Sequence, residues 1–158
     1  MYTLRLIEEK DLPSLSKALS KSFTQADPEK PWDEGHSYEN LKYWIKKQPD
    51  LFYVAIGEDG TPLGGMVVNI KPWRTDIRCN DGMLFVDPSS QSRGIGKDLF
   101  KKVIERALHK YNAETFEGIT FAGKEFPMSW YEKIGIEKDE YAMVIVGKCK
   151  DILEKFEV

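Results

Sequence analysis

The sequence predicts an α/β domain in which strands and amphipathic helices alternate along the chain. Three observations carry that prediction. About six segments have the alternating or continuously apolar character of strands, and about four place apolar residues at i, i+3 and i+4 as helices do. At 158 residues the chain is long enough for one substantial core and too short for two. A content of 41% hydrophobic and 31% charged residues is that of a folding chain rather than a disordered one. A single domain over 1–158 is expected, with the tail 148–158 as a possible appended element.

In order, residues 2–7 alternate Leu4 and Leu6 against Thr3 and Arg5, the pattern of a half-buried strand. Asp11 and Pro13 suit a helix start, and Leu12, Leu15, Ala18, Leu19 and Phe23 carry the helix to about Phe23. Residues 24–37 hold Pro28, Pro31 and Gly35 and read as loop. Between 24 and 39 five acids (Asp27, Glu29, Asp33, Glu34, Glu39) face one base, Lys30. With Trp32 and Tyr38 among them, that stretch suits either plain solvation or a cationic ligand. A second helix spans 38–48, with Leu41, Trp44 and Ile45 on one face.

Residues 51–57 and 63–70 then form a hairpin around an Asp-Gly turn, and Gly64 and Gly65 signal a bulge or a close backbone approach. Residues 77–86 make the next strand. From Leu99 to Tyr111 apolar residues recur at helical spacing beneath a basic face that includes Lys101, Lys102, Arg106 and Lys110. Strands are expected at 115–122 and 141–147, and a short helix from Pro127 to Ile134 ended by Gly135. The tail 148–158 reads as a short docking helix.

The most informative stretch is 83–99, MLFVDPSSQSRGIGKDL: a strand, a turn at Asp87 and Pro88, then a glycine loop that opens into a helix. The first amides of a helix lack carbonyl partners and sit at the positive end of its dipole, so this arrangement cradles an anion such as phosphate. A Walker A loop would need glycine at Gln91 and Ser or Thr at Asp98, and a Rossmann turn a third glycine at Leu99. What remains is QxxGxG, written Gln91, Ser92, Arg93, Gly94, Ile95, Gly96 and followed by Lys97.

Those residues resemble the acetyl-CoA signature of the GCN5-related N-acetyltransferase (GNAT) superfamily. A second segment agrees: Trp130, Tyr131, Glu132, Lys133, Ile134, Gly135 and Ile136 are similar to the family's aromatic-Tyr helix, and the two segments occur in the family's order. The resemblance implies a mixed, mostly antiparallel central sheet of about six to seven strands flanked by about four helices. It implies acetyl-CoA as the acetyl-donor cosubstrate, with its pantetheine arm on Leu84, Phe85 and Val86 and its diphosphate on Gln91, Ser92, Arg93, Gly94, Ile95, Gly96 and Lys97. Where the family often has an Asn seven residues before the Tyr, this chain has Lys124, which could contact the cofactor in another way.

The same resemblance makes Tyr131 the acid that protonates the leaving thiolate. For the base that takes a proton from the amine, the family often uses a carboxylate on the strand before the loop. That position's facing, shared with Leu84 and Val86, belongs to Asn80 and Arg78 by simple alternation, so Asp81 serves only if a bulge intervenes. Asp33, Glu34, His36 or a water chain are alternatives. The expected reaction is direct transfer in a ternary complex to a primary amine of a cationic small molecule or peptide. The alternative is a non-catalytic acyl-CoA-binding sensor or partner module on the same fold.

Other classes are disfavoured. A net charge of −3 lacks the basic excess of a nucleic-acid binder. Cys79 and Cys149 lie far apart in no metal-binding cluster, so neither metal nor disulfide is expected. No segment has the apolar length of a membrane span, and the start lacks a signal-peptide pattern. A cytoplasmic monomer or homodimer is the expectation.

Overall fold

The computed structural model describes residues 1–156, except for the side chain of Asp81. Contacts divide it into two units, Met1–Ile119 and Thr120–Val158.

The first unit holds a five-stranded sheet in the order β1 (Tyr2–Leu6), β2 (Phe52–Gly57), β3 (Pro62–Trp73), β4 (Asp76–Val86), β5 (Thr115–Phe116). β1 to β4 pair antiparallel, and β5 joins β4 in parallel. Helices α1 (Leu12–Ala26), α2 (Glu34–Lys47) and α3 (Ile95–Tyr111) complete it. The mixed, mostly antiparallel α/β architecture is as expected. Residues directly opposite in antiparallel strands share a face. Phe52, Val54, Ile56, Val67 and Phe85 thus build one core with Leu15, Leu19 and Leu41 of α1 and α2. The other face, with Tyr53, Ala55 and Met66, belongs to α3, whose Leu99, Phe100 and Val103 are buried.

Two helix ends differ from the sequence reading. α1 runs a turn past Phe23, to Ala26. α2 begins at Glu34 rather than Tyr38, because the Asp33 carboxylate caps it by accepting from the amides of Gly35 (3.0 Å) and His36 (2.9 Å). Part of the expected acidic loop is therefore the first turn of a helix.

β4 carries the irregularity that matters most. Val67 opposes Met83 but Asn69 opposes Asn80, so two steps along β3 match three along β4, and the extra residue lies at 81–82. A Cβ on Gly82 would come within 1.8 Å of the Val67 carbonyl oxygen, so only glycine fits there. The bulge flips the alternation. Asn80 and Arg78 share the face of Met83 and Phe85, not that of Leu84 and Val86 as simple alternation implies. Gly64 meets β4 as closely: its Cβ would lie 2.5 Å from the Phe85 carbonyl oxygen, the close approach that the Gly64-Gly65 pair signals.

β1 is tied to the start of α1 by a two-point ion pair, Arg5 Nη1 and Nη2 to the Asp11 carboxylate at 2.7 and 2.8 Å, with the Glu8 amide donating to the same group at 2.8 Å. Asp11 is only 3% exposed. Burial alone would raise its pKa, but the bonds from Arg5 and from the Glu8 amide outweigh burial and hold it below the ordinary value. A depressed carboxylate contributes stability in full above its unfolded pKa of about 3.9, and that stability is lost as pH falls through the folded value. Arg5→Ala should cost about 2–3 kcal/mol at pH 7 by leaving this charge buried without its partner, and the deficit should shrink below about pH 4. Urea unfolding of both proteins at pH 7 and pH 3 checks it; an equal deficit at both would contradict the ion-pair account.

The second unit contains α4 (Met128–Lys133) and α5 (Cys149–Glu154). α4 lies within the predicted helix, and Gly135 just beyond its end takes a φ of +88° that only glycine adopts readily. α5 gives the tail a helix but buries none of its residues, so the expected docking is not seen among the described residues; residues 157 and 158 lie outside them. The predicted strand at 115–122 shortens to Thr115–Phe116, and 141–147 forms no strand among the described residues. Its alternation specifies a ladder face, but no strand is paired with it: Tyr141 is 97% and Val146 93% exposed.

Candidate functional site

β4 leads out of the sheet through Val86 into a tightly tied loop. Asp87 N–H donates to the Leu63 carbonyl at 2.8 Å. Its carboxylate accepts from Ser89 N–H and Oγ at 2.9 and 2.6 Å, shaping the single 3-10 turn Pro88–Ser90. Gln91 Nε2 reaches back 3.0 Å to the Val86 carbonyl, so this side chain holds the loop to the strand it leaves. Ser92 and Gly94 both adopt positive φ, +63° and +83°, which turns the backbone into α3.

The helix is anchored below and open above. Ile95 and Leu99 are buried, and Tyr2 Oη donates 2.6 Å to Asp98, fixing the first turn of α3 to β1. The first helical bond runs from Asp98 N–H to the Gly94 carbonyl at 3.0 Å. The amides of Ile95, Gly96 and Lys97 have no carbonyl partner among the described residues. Arg93 and Lys97 are exposed and form no ion pair among them either. Gly94 is required by its φ, but Gly96 is not required by packing: a Cβ there would meet only Val86 Cγ2, at an ordinary 3.8 Å. Absence of a side chain at 96 keeps the mouth of the cradle clear for a close-lying group. Loop 91–97 thus presents three unpaired amides, two cations and the positive end of a 17-residue helix, a fit for a diphosphate.

Of the strand residues assigned to the pantetheine arm, Leu84 and Val86 face α3 and Phe85 faces the α1–α2 core. The Asp81 backbone lies in the bulge; its side chain lies outside the described residues.

Past the bulge is a polar cluster that sequence reasoning missed. Asn80 is 0% exposed, and its side chain accepts from Asn69 Nδ2 and donates to Glu117 Oε1, both at 3.4 Å. Glu117 Oε2 lies 2.6 Å from Arg78 Nη1, and Arg78 Nε lies 3.4 Å from Asp76. Glu117 N–H donates to the Cys79 carbonyl at 3.0 Å just after β5 ends, which places a half-exposed carboxylate beside the bulged strand. Only the parallel pairing of β5 to β4 brings residue 117 there.

Asp33 is held at about 2 by the amide of His36, the His36 ring and the amide of Gly35, which makes it a poor proton acceptor. In the second unit, Tyr131 packs against Trp130 with ring centroids 5.1 Å apart, and burial raises its phenol pKa, so it stays protonated at neutral pH. Lys124 is exposed, with Nζ 5.5 Å from the centre of the Phe121 ring. Cys79 is buried in the sheet, and desolvation pushes its thiol up to about 11.

Comparison with known proteins agrees with the fold. The sequence model of the acetyltransferase (GNAT) family matches residues 12–136. An uncharacterised N-acetyltransferase of Methanocaldococcus jannaschii is 26% identical over 149 residues, 88% of this chain; the chain spans 62% of that relative's length. A Trypanosoma brucei acetyltransferase superposes with a TM-score of 0.67 at 22% identity, over 92% of this chain and 99% of the other. A chain of the NatC complex bound to Gag peptide and CoA gives 0.66 at 21%, over 85% and 83%. A transcriptional regulator from Bacillus halodurans gives 0.74 at 19%, over 93% and 100%, so at this distance likeness speaks for fold alone. With the family match extending from the start of α1 through the Tyr131 segment, the chain belongs to the acetyltransferase (GNAT) family.

Proposed function

We propose that this chain is an acetyl-CoA-dependent N-acetyltransferase that moves an acetyl group to a primary amine of a cationic small molecule or peptide, by direct transfer in a ternary complex. The observation that carries the reading is the open cradle of Ile95, Gly96 and Lys97 amides at the start of α3, in a chain whose family uses such a loop for CoA. Bound there, acetyl-CoA supplies an activated thioester. Loop 91–97 would hold its diphosphate, and the backbone of Leu84, Phe85 and Val86 would align its pantetheine arm.

The chain's own residues then have separable tasks. Backbone N–H groups of β4 next to the bulge would stabilise the developing oxyanion. The Tyr131 phenol, kept protonated by burial, would donate to the departing thiolate. An amine of pKa about 10.4 arrives protonated and must lose a proton before it attacks. Glu117, beside the bulged strand, joins Asp81 as a candidate acceptor of that proton, directly or through water. A covalent relay is disfavoured because the Cys79 thiol is buried and its pKa is raised, and Cys149 bonds no histidine among the described residues.

The test is thiol release from acetyl-CoA across a panel of polyamines, aminoglycosides, lysine and peptide N-termini. The reading predicts turnover with at least one cationic amine, and a shift of the kcat/KM profile to higher pH in Glu117→Gln or Asp81→Asn, whichever acts as base. CoA binding without turnover for any amine would favour a sensor on the same fold.

A further inference from the structure

The basic face of α3 does more than meet solvent at one place. Between that helix and β2 lies a cleft of about 320 Å³ lined by Tyr53, Lys102, Glu105, Arg106, His109 and Lys110. Tyr53 is a buried β2 residue on the α3 face of the sheet, and Lys102, Arg106 and His109 follow it along successive turns of one helix flank.

The state of each charge distinguishes this cleft from an ordinary solvated stripe. Arg106 is half-buried and held by a single bond, Nε to the Asp50 carbonyl at 3.1 Å; Nη1 and Nη2 meet no carboxylate among the described residues. That one bond anchors Nε and leaves the Nη1–Nη2 edge unfilled. Lys102 has no carboxylate partner among the described residues either, and its ammonium sits 5.7 Å from the centre of the Tyr53 ring. Glu105 is engaged by Lys101 at 3.7 Å, and Lys110 is paired with Asp50 at 2.6 Å. Two uncompensated cations, one anchored, therefore converge on a concave site in a chain whose net charge is −3.

We propose that this cleft binds a phosphate group, free or carried by a small ester, with Arg106 making the two-pronged contact and Lys102 the second charge. A phosphate offers the paired oxygens that match a guanidinium edge and the double charge that two cations satisfy. The site is built on the middle and C-terminal turns of α3, well apart along the helix from the amides of residues 95–97.

An amide-resolved NMR titration separates the two places. The protein is titrated with inorganic phosphate and, separately, with glycerol 3-phosphate, each at constant ionic strength set with chloride, with and without saturating CoA. The expected result is saturable shifts at Tyr53, Lys102, Arg106 and His109 that persist when CoA is present. Roughly tenfold weaker binding is expected in Arg106→Gln and in Lys102→Gln. Preference for one ligand tells free phosphate from ester. Shifts that never saturate, shifts confined to 91–97, or wild-type affinity in the variants would overturn the proposal. Lys102 is exposed, so its variant keeps the test decisive even if Arg106→Gln does not fold.

Discussion

Tyr131→Phe is expected to lower the rate of acetyl transfer by about 10²- to 10³-fold while leaving CoA binding within about threefold. The substitution removes one O–H and keeps the ring that packs on Trp130. Without a proton donor, the departing thiolate must leave as an anion or find water. Because burial raises the phenol's pKa, the wild-type enzyme should keep its acid at neutral and mildly alkaline pH, and its rate should rise there as the amine deprotonates. Single-turnover rates with acetyl-CoA and a productive amine measure this apart from product release. A variant with wild-type single-turnover rate would remove Tyr131 from the chemistry and leave it a core aromatic.

Gly82→Ala should be the most destabilising single-methyl change in the chain, costing about 3 kcal/mol or more. Its Cβ has nowhere to go, 1.8 Å from the Val67 carbonyl oxygen and 3.0 Å from Val68 Cα, both backbone atoms that can move only by breaking the β3–β4 ladder. Gly60→Ala is the matched control. Gly60 has a φ of +82° but open space around it, so only the left-handed backbone strain of about 1–2 kcal/mol applies. Thermal unfolding should rank wild type, Gly60→Ala, Gly82→Ala in falling order. Equal melting temperatures for the two variants would mean that β4 is not bulged at 81–82.

What the sequence disclosed divides along the range of the forces involved. Loop 91–97 was legible because its determinants are local: a strand, two glycines and a helix start lie within a dozen residues, and the structure supplies the open amides that pattern implies. The bulge was not legible, because it exists only in the register of β4 against β3; without it, alternation put Asn80 and Arg78 on the wrong face. Glu117 was missed for a similar reason, since a two-residue parallel pairing places it beside Asn80. The start of α2 falls inside the stretch that reads as loop from Pro28, Pro31 and Gly35, and the cap at Asp33 shows only in the amides it accepts from. At 141–147 the period was strand-like, yet period alone cannot supply a pairing partner.

The central claim is that the start of α3 is a CoA cradle, and thermal unfolding in the presence of candidate ligands tests it most directly. At about 100-fold excess over Kd, CoA should add about 2.7 kcal/mol and raise the melting temperature by about 5–10 °C, whereas ATP and NAD should not. Gly96→Ala sharpens the test: its methyl meets only Val86 at 3.8 Å, so the variant should fold as stably as the wild type and yet lose most of the CoA shift. Protection by ATP or NAD but not CoA, or a full CoA shift in Gly96→Ala, would contradict the account.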